Sequence, residues 1–84
     1  MYYTYILINQ EGNKTYTGST SNILRRLEEH NAGKNKFTSL YRPFEILHLE
    51  EFDSLKKAVE KEKFYKSTTG RRRIKEFLGK WKIK

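Results

Sequence analysis

The stretch TYTGSTSNILRRLEEHNAGK (Thr15–Lys34) decides the fold, because it joins a Tyr-Thr-Gly segment to a helix that carries two arginines and a histidine. Ser21 or Asn22 has the side chain of a helix N-cap, and Gly33 is a typical end signal. A helix is therefore predicted between these positions. Its charged side chains belong either to a solvated face or to an active site.

The predicted helix has an apolar stripe formed by Ile23, Leu24 and Leu27. Because successive residues of an α-helix are rotated by about 100°, Arg26 and His30 lie one turn apart on one border of that stripe. The two side chains therefore point the same way, beside the core.

Two predicted strands precede this helix. YYTYILI (Tyr2–Ile8) is aromatic and aliphatic throughout, and KTYTG (14–18) follows it after the turn cluster NQEGN, so the two predict a β-hairpin. A turn over residues 9–12 would place Tyr5 opposite Tyr16, and opposed residues share one face of a sheet. A register slipped by one residue would separate the two tyrosines.

The rest of the chain predicts a loop, a third strand and two further helices. The third strand, FEILHLEEF, is apolar enough to be the central one. The predicted bounds are a polar and basic loop over 34–42 that ends at Pro43, the strand over 44–52, a helix over 54–67 capped by Asp53 or Ser54, a short helix from about Gly70 to Leu78, and a basic tail over 79–84.

The helix over 54–67 places Glu62 in the middle of its apolar face, which Leu55, Ala58 and Val59 define. A carboxylate at such a position is costly unless it is paired with a cation or bound to a metal. Without other information, an ion pair with a lysine or arginine is the better explanation, because structural ion pairs also occupy such positions.

The composition is that of one small basic domain. The 84 residues are expected to form a single domain (1–84) whose core depends on six Tyr, five Phe and one Trp. The chain has no cysteine, which excludes disulfides and thiolate metal sites. Its formal charge of +8 predicts a polyanionic partner such as nucleic acid, with solubility as the alternative. No membrane span or signal peptide is evident, so a cytoplasmic location is expected.

Two short motifs carry a family resemblance. Tyr3-Thr4-Tyr5 and Tyr16-Thr17-Gly18, followed by an arginine, a histidine and a glutamate on a later helix, resemble the GIY-YIG nuclease superfamily. The resemblance runs from Tyr3 to about Leu78 and is closest to the small stand-alone bacterial members, which are similar to the nuclease domain of the excision-repair incision subunit. Each motif alone is weak, but the ordered set is specific.

The resemblance implies particular site residues. Arg26, rather than Arg25, takes the place of the catalytic arginine because of its spacing from Tyr16. The implied catalytic residues are Tyr5, Tyr16, Arg26, His30 and Glu62, with Glu62 as the metal ligand and Gly18 as the motif glycine.

Three positions depart from the family's pattern. Tyr3 and Thr17 replace a glycine and an isoleucine of the two motifs, at positions where small stand-alone members vary. Ser19 stands where excision-repair relatives have a lysine. These departures bear on rate and substrate range more than on the fold.

The reaction that the resemblance implies is hydrolysis of a phosphodiester. One Mg²⁺ or Mn²⁺ on Glu62 would be sufficient, because Mg²⁺ is often held by only one or two carboxylates together with water and phosphate. Arg26 offers a planar fork to the phosphate oxygens. Either Tyr5 or Tyr16 acts on the attacking water, and His30 relays a proton or contacts a phosphate.

The remaining basic side chains are expected to bind DNA. A positive cluster at a helix N-terminus opposes the helix dipole, so the arginine run near the C-terminus favours a role in binding. The predicted DNA-binding residues are Ser19, Lys34, Lys36, Arg71, Arg72 and Arg73.

The sequence therefore predicts an α/β fold, with a small three-stranded, mainly antiparallel sheet flanked by three helices. The predicted function is a metal-dependent endonuclease that cuts DNA in repair or recombination, with neither a membrane nor a small-molecule cofactor as partner. One alternative is a catalytically inactive nucleic-acid-binding module on the same fold, and another is a basic protein-interaction domain.

Overall fold

Three strands and four helices follow one another along residues 1–82, the part of the chain that the computed structural model describes. Their bounds, in chain order, are β1 (Tyr2–Asn9), β2 (Thr15–Thr20), α1 (Ile23–Asn31), α2 (Lys36–Ser39), β3 (Phe44–Phe52), α3 (Leu55–Lys66) and α4 (Thr68–Lys82). None of the helices in this range is long and apolar enough to cross a membrane.

The strands form one antiparallel sheet in the order β2-β1-β3, which confirms the predicted three-stranded sheet. The prediction that the third strand is central is wrong, because β1 occupies that place. Residues 4–9 of β1 are all buried, as a strand covered on both faces must be, whereas β3 exposes Glu45, Leu49 and Glu51. Exposed charges suit an edge strand, since they discourage pairing with other chains.

The β1–β2 hairpin has a different register from the predicted one. Leu7 pairs with Tyr16 and Tyr5 pairs with Gly18, so the expected Tyr5–Tyr16 pairing is wrong. The loop is longer than predicted because the Asn9 side chain accepts two hydrogen bonds, of 3.0 Å each, from backbone N–H groups of the loop. Since side chains alternate between faces with a period of two, this displacement leaves Tyr5 and Tyr16 on the same face, with ring centroids 6.4 Å apart.

The sheet separates two apolar cores. Successive side chains of β1 project to opposite faces, so Tyr5 and Leu7 pack against α1 while Ile6 packs against α3 and α4. The first core also contains Phe44, Tyr16, Ile23, Leu27, Tyr41 and Ile46, and the second contains Tyr65, Ile74, Leu47, Phe64, Phe77 and Leu78. Aromatic rings supply much of both cores, as the composition predicts.

Helix α1 is bounded by the predicted signals. Asn22 is the N-cap, and its side chain accepts a hydrogen bond from the backbone N–H of Arg25 at 3.1 Å. Gly33 follows the helix with a φ of 83°, a left-handed conformation that favours glycine. The predicted apolar stripe is partly wrong, because Leu24 is exposed, and His30, predicted at the border of the stripe, is buried.

Residues 34–42 do not form the predicted loop throughout, because the short helix α2 interrupts them. The Asn35 side chain caps α2 by accepting hydrogen bonds from the backbone N–H groups of Phe37 at 2.9 Å and Thr38 at 3.2 Å. The cap fixes the turn in which Thr38 becomes fully buried.

Helix α3 is capped by Ser54, whose hydroxyl group accepts from the backbone N–H of Lys57 at 3.2 Å. Its predicted apolar face is only partly buried, because Leu55 is exposed while Ala58 is buried. Tyr65 is the large buried side chain of this helix.

Helix α4 is longer than predicted. It begins at Thr68 and continues through Lys82, so the expected bounds of Gly70 and Leu78 are wrong, and the predicted tail is helical as far as Lys82. Residues 83–84 of that tail lie outside the described range. The extension has a physical cause, because the indole N–H of Trp81 donates a hydrogen bond to Glu45 on β3 and ties the end of the helix to the sheet.

Gly70 lies where α4 passes closest to α3, and a Cβ there would overlap the Phe64 carbonyl oxygen. Because backbone atoms cannot yield as a flexible side chain can, Gly70→Ala is expected to lower the free energy of unfolding by about 1–3 kcal/mol. Gly79→Ala is the matched control. Nothing lies within 4 Å of a Cβ at that position, so the better helix propensity of alanine should raise stability by up to about 1 kcal/mol. Urea unfolding measures both, and equal effects would contradict the close approach.

Candidate active site

The Tyr5 hydroxyl group lies at the centre of the candidate site. Tyr5 is 1% exposed on the central strand, and its side chain points toward α1. The Nε of Arg26 donates a hydrogen bond to the Tyr5 oxygen at 3.2 Å, and the Nε2 of His30 lies 3.2 Å from the same oxygen. Two side chains from one helix therefore converge on one phenol, as their spacing of one turn predicts.

Gly18 leaves the space that the Tyr5 phenol occupies. The two residues pair across β1 and β2, and a Cβ on Gly18 would lie 2.5 Å from the Tyr5 hydroxyl oxygen. The motif glycine is therefore required by the close approach of an aromatic side chain. Burial raises the pKa of the Tyr5 phenol above its ordinary value, and the hydrogen bond from Arg26 offsets part of this rise.

His30 is held from both sides. Its Nδ1 lies 2.8 Å from the hydroxyl oxygen of Thr38, and its Nε2 faces Tyr5. Burial lowers the pKa of His30, and the neighbouring charge of Arg26 lowers it further, so the ring is neutral at pH 7. His30 is 1% exposed, and each of its ring nitrogens lies within hydrogen-bond distance of a protein oxygen.

Tyr16 forms a wall of the site and is not hydrogen-bonded to the histidine. Its half-buried ring lies 4.6 Å from the His30 ring, centroid to centroid. Its hydroxyl group accepts a long hydrogen bond of 3.4 Å from the Asn35 side chain. The two motif tyrosines therefore have different surroundings, which the sequence could not distinguish.

Arg26 links the buried phenol to the surface. Its side chain is 40% exposed, and its Nη1 donates to Glu29 at 3.2 Å in an (i, i+3) ion pair. The hydrogen bond to the Tyr5 oxygen raises the pKa of Arg26, so the guanidinium remains charged. Its outer atoms are accessible to an anion.

Glu62 is half-buried, and each of its carboxylate oxygens accepts a hydrogen bond. One carboxylate oxygen accepts from the Ser19 hydroxyl at 2.6 Å, and the other accepts from Lys66 Nζ at 2.7 Å. The ion pair that the sequence allowed is therefore present. Burial alone would raise the pKa of Glu62, but the hydrogen bonds from Lys66 and Ser19 and the charge of Arg26 together hold it below its usual range. The carboxylate is ionised at neutral pH.

Glu62 reaches the site from the opposite helix layer. Gly18 and Ser19 are consecutive in β2, so they face opposite sides of the sheet. Tyr5 lies over Gly18 on one side, and Glu62 binds Ser19 on the other. Because β2 forms an edge of the sheet, the two faces meet there. The candidate site therefore extends around the edge of β2.

The predicted DNA-binding residues do not form one patch. Lys34 lines a small cleft of about 180 Å³ beside Arg26, whereas Lys36 is exposed at the start of α2. The three consecutive arginines point in different directions because of the rotation of α4. Arg71 lines a larger groove, and Arg72 is exposed outside it. Arg73 pairs with Glu76 at 3.3 Å and lies over the Phe77 ring.

Three contributors to the site were not predicted. Thr38 binds His30, Asn35 binds Tyr16, and Lys66 binds Glu62. The N-cap signal of Asn35 could have indicated α2, but a helix of four residues is too short to show a period. Lys66 lies four residues after Glu62 on α3, which is the spacing of a helical ion pair.

The strand order, the two tyrosine rings 6.4 Å apart and the nearby arginine and glutamate are typical of a nuclease-type domain. The family model described as the GIY-YIG catalytic domain matches residues 1–75, and the chain belongs to this family.

Relatives of known sequence support this assignment. The chain is 46% identical to a UPF0213 protein of Syntrophus aciditrophicus over 69% of its own length and 70% of the relative's. It is 40% identical to a UPF0213 protein of Natronomonas pharaonis, over 79% and 78% of the two chains. The solution NMR structure of a UPF0213 protein of Bacillus halodurans is similar, with a TM-score of 0.52 and 30% identity over 90% of this chain and 84% of that one. The predicted membership of the GIY-YIG superfamily is confirmed.

Gly18→Ala is expected to destabilise the protein by about 1–3 kcal/mol, because the added methyl group would press on the Tyr5 phenol in a filled core. Urea unfolding measures the change. The displaced hydroxyl should also lose its bond to His30, which the imidazole resonances report. An unchanged stability together with unchanged imidazole resonances would show that the phenol does not lie over Gly18.

Proposed function

We propose that this protein is a metal-dependent endonuclease that hydrolyses phosphodiester bonds in DNA. The observation that carries the proposal is the buried Tyr5 hydroxyl group, which has a cation on one side and a neutral imidazole on the other, each at 3.2 Å. A phenol in these surroundings has both a group to receive its proton and a charge to stabilise its anion. Membership of the GIY-YIG family supports the same chemistry.

The proton route favours Tyr5 over Tyr16. We place the single proton of His30 on Nδ1, where it donates to the Thr38 oxygen 2.8 Å away, because the Thr38 hydroxyl group has its own acceptor in the Asn35 carbonyl oxygen at 3.5 Å. Nε2 of His30 is then unprotonated and accepts a hydrogen bond from the Tyr5 hydroxyl group. Tyr16 has no such acceptor at its hydroxyl, since its partner there is the donating amide of Asn35. We therefore assign the activation of the attacking water to Tyr5, whose oxygen takes the proton of the water as its own proton passes to Nε2 of His30.

Arg26 serves two groups at once in this proposal. Its Nε stays on the Tyr5 oxygen and stabilises the phenolate, while its exposed outer nitrogens bind the non-bridging oxygens of the phosphate. Charge that develops on the phosphate in the transition state is met by a preorganised cation. Glu29 holds the guanidinium in position until the phosphate arrives.

The Glu62 carboxylate, which binds the Ser19 hydroxyl group, fits a divalent cation. No cluster of three His, Asp or Glu side chains occurs in residues 1–82, so water and phosphate would complete the coordination, as Mg²⁺ permits. Mg²⁺ or Mn²⁺ would supply a Lewis acid for the phosphate oxygen. The lowered pKa of Glu62 keeps the carboxylate ionised, and Lys66, whose side chain is 55% exposed, can move away into solvent.

The second candidate is a nucleic-acid-binding module without catalysis. The observation in its favour is that both oxygens of Glu62 are already bonded, one of them to a cation. This candidate predicts DNA binding that falls as salt rises, with no nicking of supercoiled plasmid in Mg²⁺ or Mn²⁺. Metal-dependent nicking that EDTA abolishes supports the endonuclease.

Arg26→Ala is expected to lower the rate of plasmid nicking by at least about 10²-fold, because it removes the cation from both the phosphate and the phenol. Arg25→Ala is the matched control, since Arg25 is exposed at the adjacent position of α1, whereas the side chains on the Tyr5 hydroxyl group within residues 1–82 are Arg26 and His30. Single-turnover nicking of supercoiled plasmid measures both. Equal losses in the two variants would mean that the wrong arginine has been assigned.

Glu62→Gln is expected to abolish nicking while leaving the protein folded. Its partner Lys66 is largely exposed, so no buried cation is stranded and stability should change by no more than about 1 kcal/mol. The control is Glu60→Gln, an exposed glutamate of the same helix. Thermal melts and plasmid nicking are measured on the same preparations. A Glu62→Gln protein that still nicks DNA in Mg²⁺ would overturn the metal-site assignment.

A further inference from the structure

A groove of about 610 Å³ runs along the outer edge of β2, beyond the site described above. Its walls come from both helix layers, with Phe37 of α2 on one side and α3 and α4 on the other. The floor includes Tyr16 and its neighbours in β2. The groove therefore follows the unpaired edge of β2 along the first half of the strand.

The rim of the groove is basic and has no acidic lining residue. Lys66 lies at one end, and Arg71 and Lys75 lie on α4 one turn apart, on the same face as buried Ile74. Within residues 1–82, neither Arg71 nor Lys75 takes part in an ion pair, whereas Arg73 does. Arg71 and Lys75 are therefore a row of two cations on α4 without counter-charges, which is complementary to the phosphates of a nucleic-acid strand.

The opposite wall offers an aromatic surface. The Phe37 side chain belongs to a residue that is 43% exposed, and its ring lies 6.2 Å from that of Tyr16 at an angle of 33°. Exposed rings beside a basic track are the platform on which nucleic-acid bases stack. Bases within a duplex are covered above and below by their neighbours, so only unpaired bases can use such a surface.

The groove is continuous with the candidate active site. Tyr16 packs on His30 in the site and also lines the groove, and Lys66 both binds Glu62 and lines the groove. We infer that the groove binds an unpaired strand of nucleic acid, with phosphates on Arg71 and Lys75 and a base on Phe37. The inference rests on the proposed function, because it takes this strand to be a continuation of the strand cut at Glu62.

A peptide strand that pairs with the free edge of β2 is the other occupant that such an edge admits. The cation row on α4 favours the nucleic acid, since backbone pairing of a peptide makes no use of it.

The test compares two DNA ligands that share the same duplex, one blunt and one with a single-stranded oligothymidine tail, made in 5′ and 3′ versions. Fluorescence anisotropy in EDTA gives their affinities for the intact protein without cleavage. The wild-type protein should bind one tailed version about tenfold more tightly than the blunt duplex, because each stacked base adds affinity. Arg71→Ala and Phe37→Ala should remove most of this tail advantage. In Arg71→Ala the salt dependence for the tailed ligand should also fall, by about 0.7 in log–log slope.

Arg72→Ala is the matched control, because it removes the same charge from the adjacent, exposed position of α4, outside the groove. It should keep the tail advantage even if overall affinity falls. Equal affinities of wild type for blunt and tailed ligands, which a peptide-binding edge also predicts, would overturn the inference, as would equal losses in Arg71→Ala and Arg72→Ala. Plasmid nicking by the wild-type protein in Mg²⁺ tests the proposed function separately, so the two failures are distinguishable.

Discussion

The burial of the Tyr5 hydroxyl group between Arg26 and His30 is the constraint on which the rest of the site depends. A buried phenol requires hydrogen-bond partners, and α1 supplies two of them from adjacent turns. The phenol also requires room, which explains the glycine opposite it in β2. The neutral state of His30 and the fixed orientation of Arg26 both follow from this one arrangement.

The edge position of β2 brings the remaining groups to the phenol. A central strand would separate the α1 layer from the α3 layer, but at the edge Glu62 can bind Ser19 while Tyr5 lies over the preceding residue. The same edge supports the proposed groove for an unpaired strand. The proposed metal site, phosphate site and strand groove therefore all depend on β2 having one free side.

Much of this arrangement could be predicted from the sequence, and the predictions that were wrong or missing have physical explanations. The helical period placed Arg26 beside His30 and marked Glu62 as a misfit on its apolar face, because angle around a helix is a property of sequence spacing. How deeply a side chain is buried does not follow from sequence spacing, so the burial of His30 could not be predicted. The hairpin register was wrong because the Asn9 side chain sets the loop length. Thr38 was missed because its helix is too short to show a period. The role in DNA repair or recombination and the cytoplasmic location stay predictions.

The state of the His30 imidazole tests the central claim most directly. A series of long-range ¹H–¹⁵N correlation spectra between pH 5 and pH 8 reports the charge and tautomer of this ring. Burial and the charge of Arg26 lower the pKa of His30, so the ring should still be neutral at pH values near ~6.5, where an unperturbed histidine is half protonated. Its single proton should be on Nδ1, bound to Thr38. A ring that becomes half protonated at or above ~6.5, or that carries its proton on Nε2, would contradict the proton route from Tyr5.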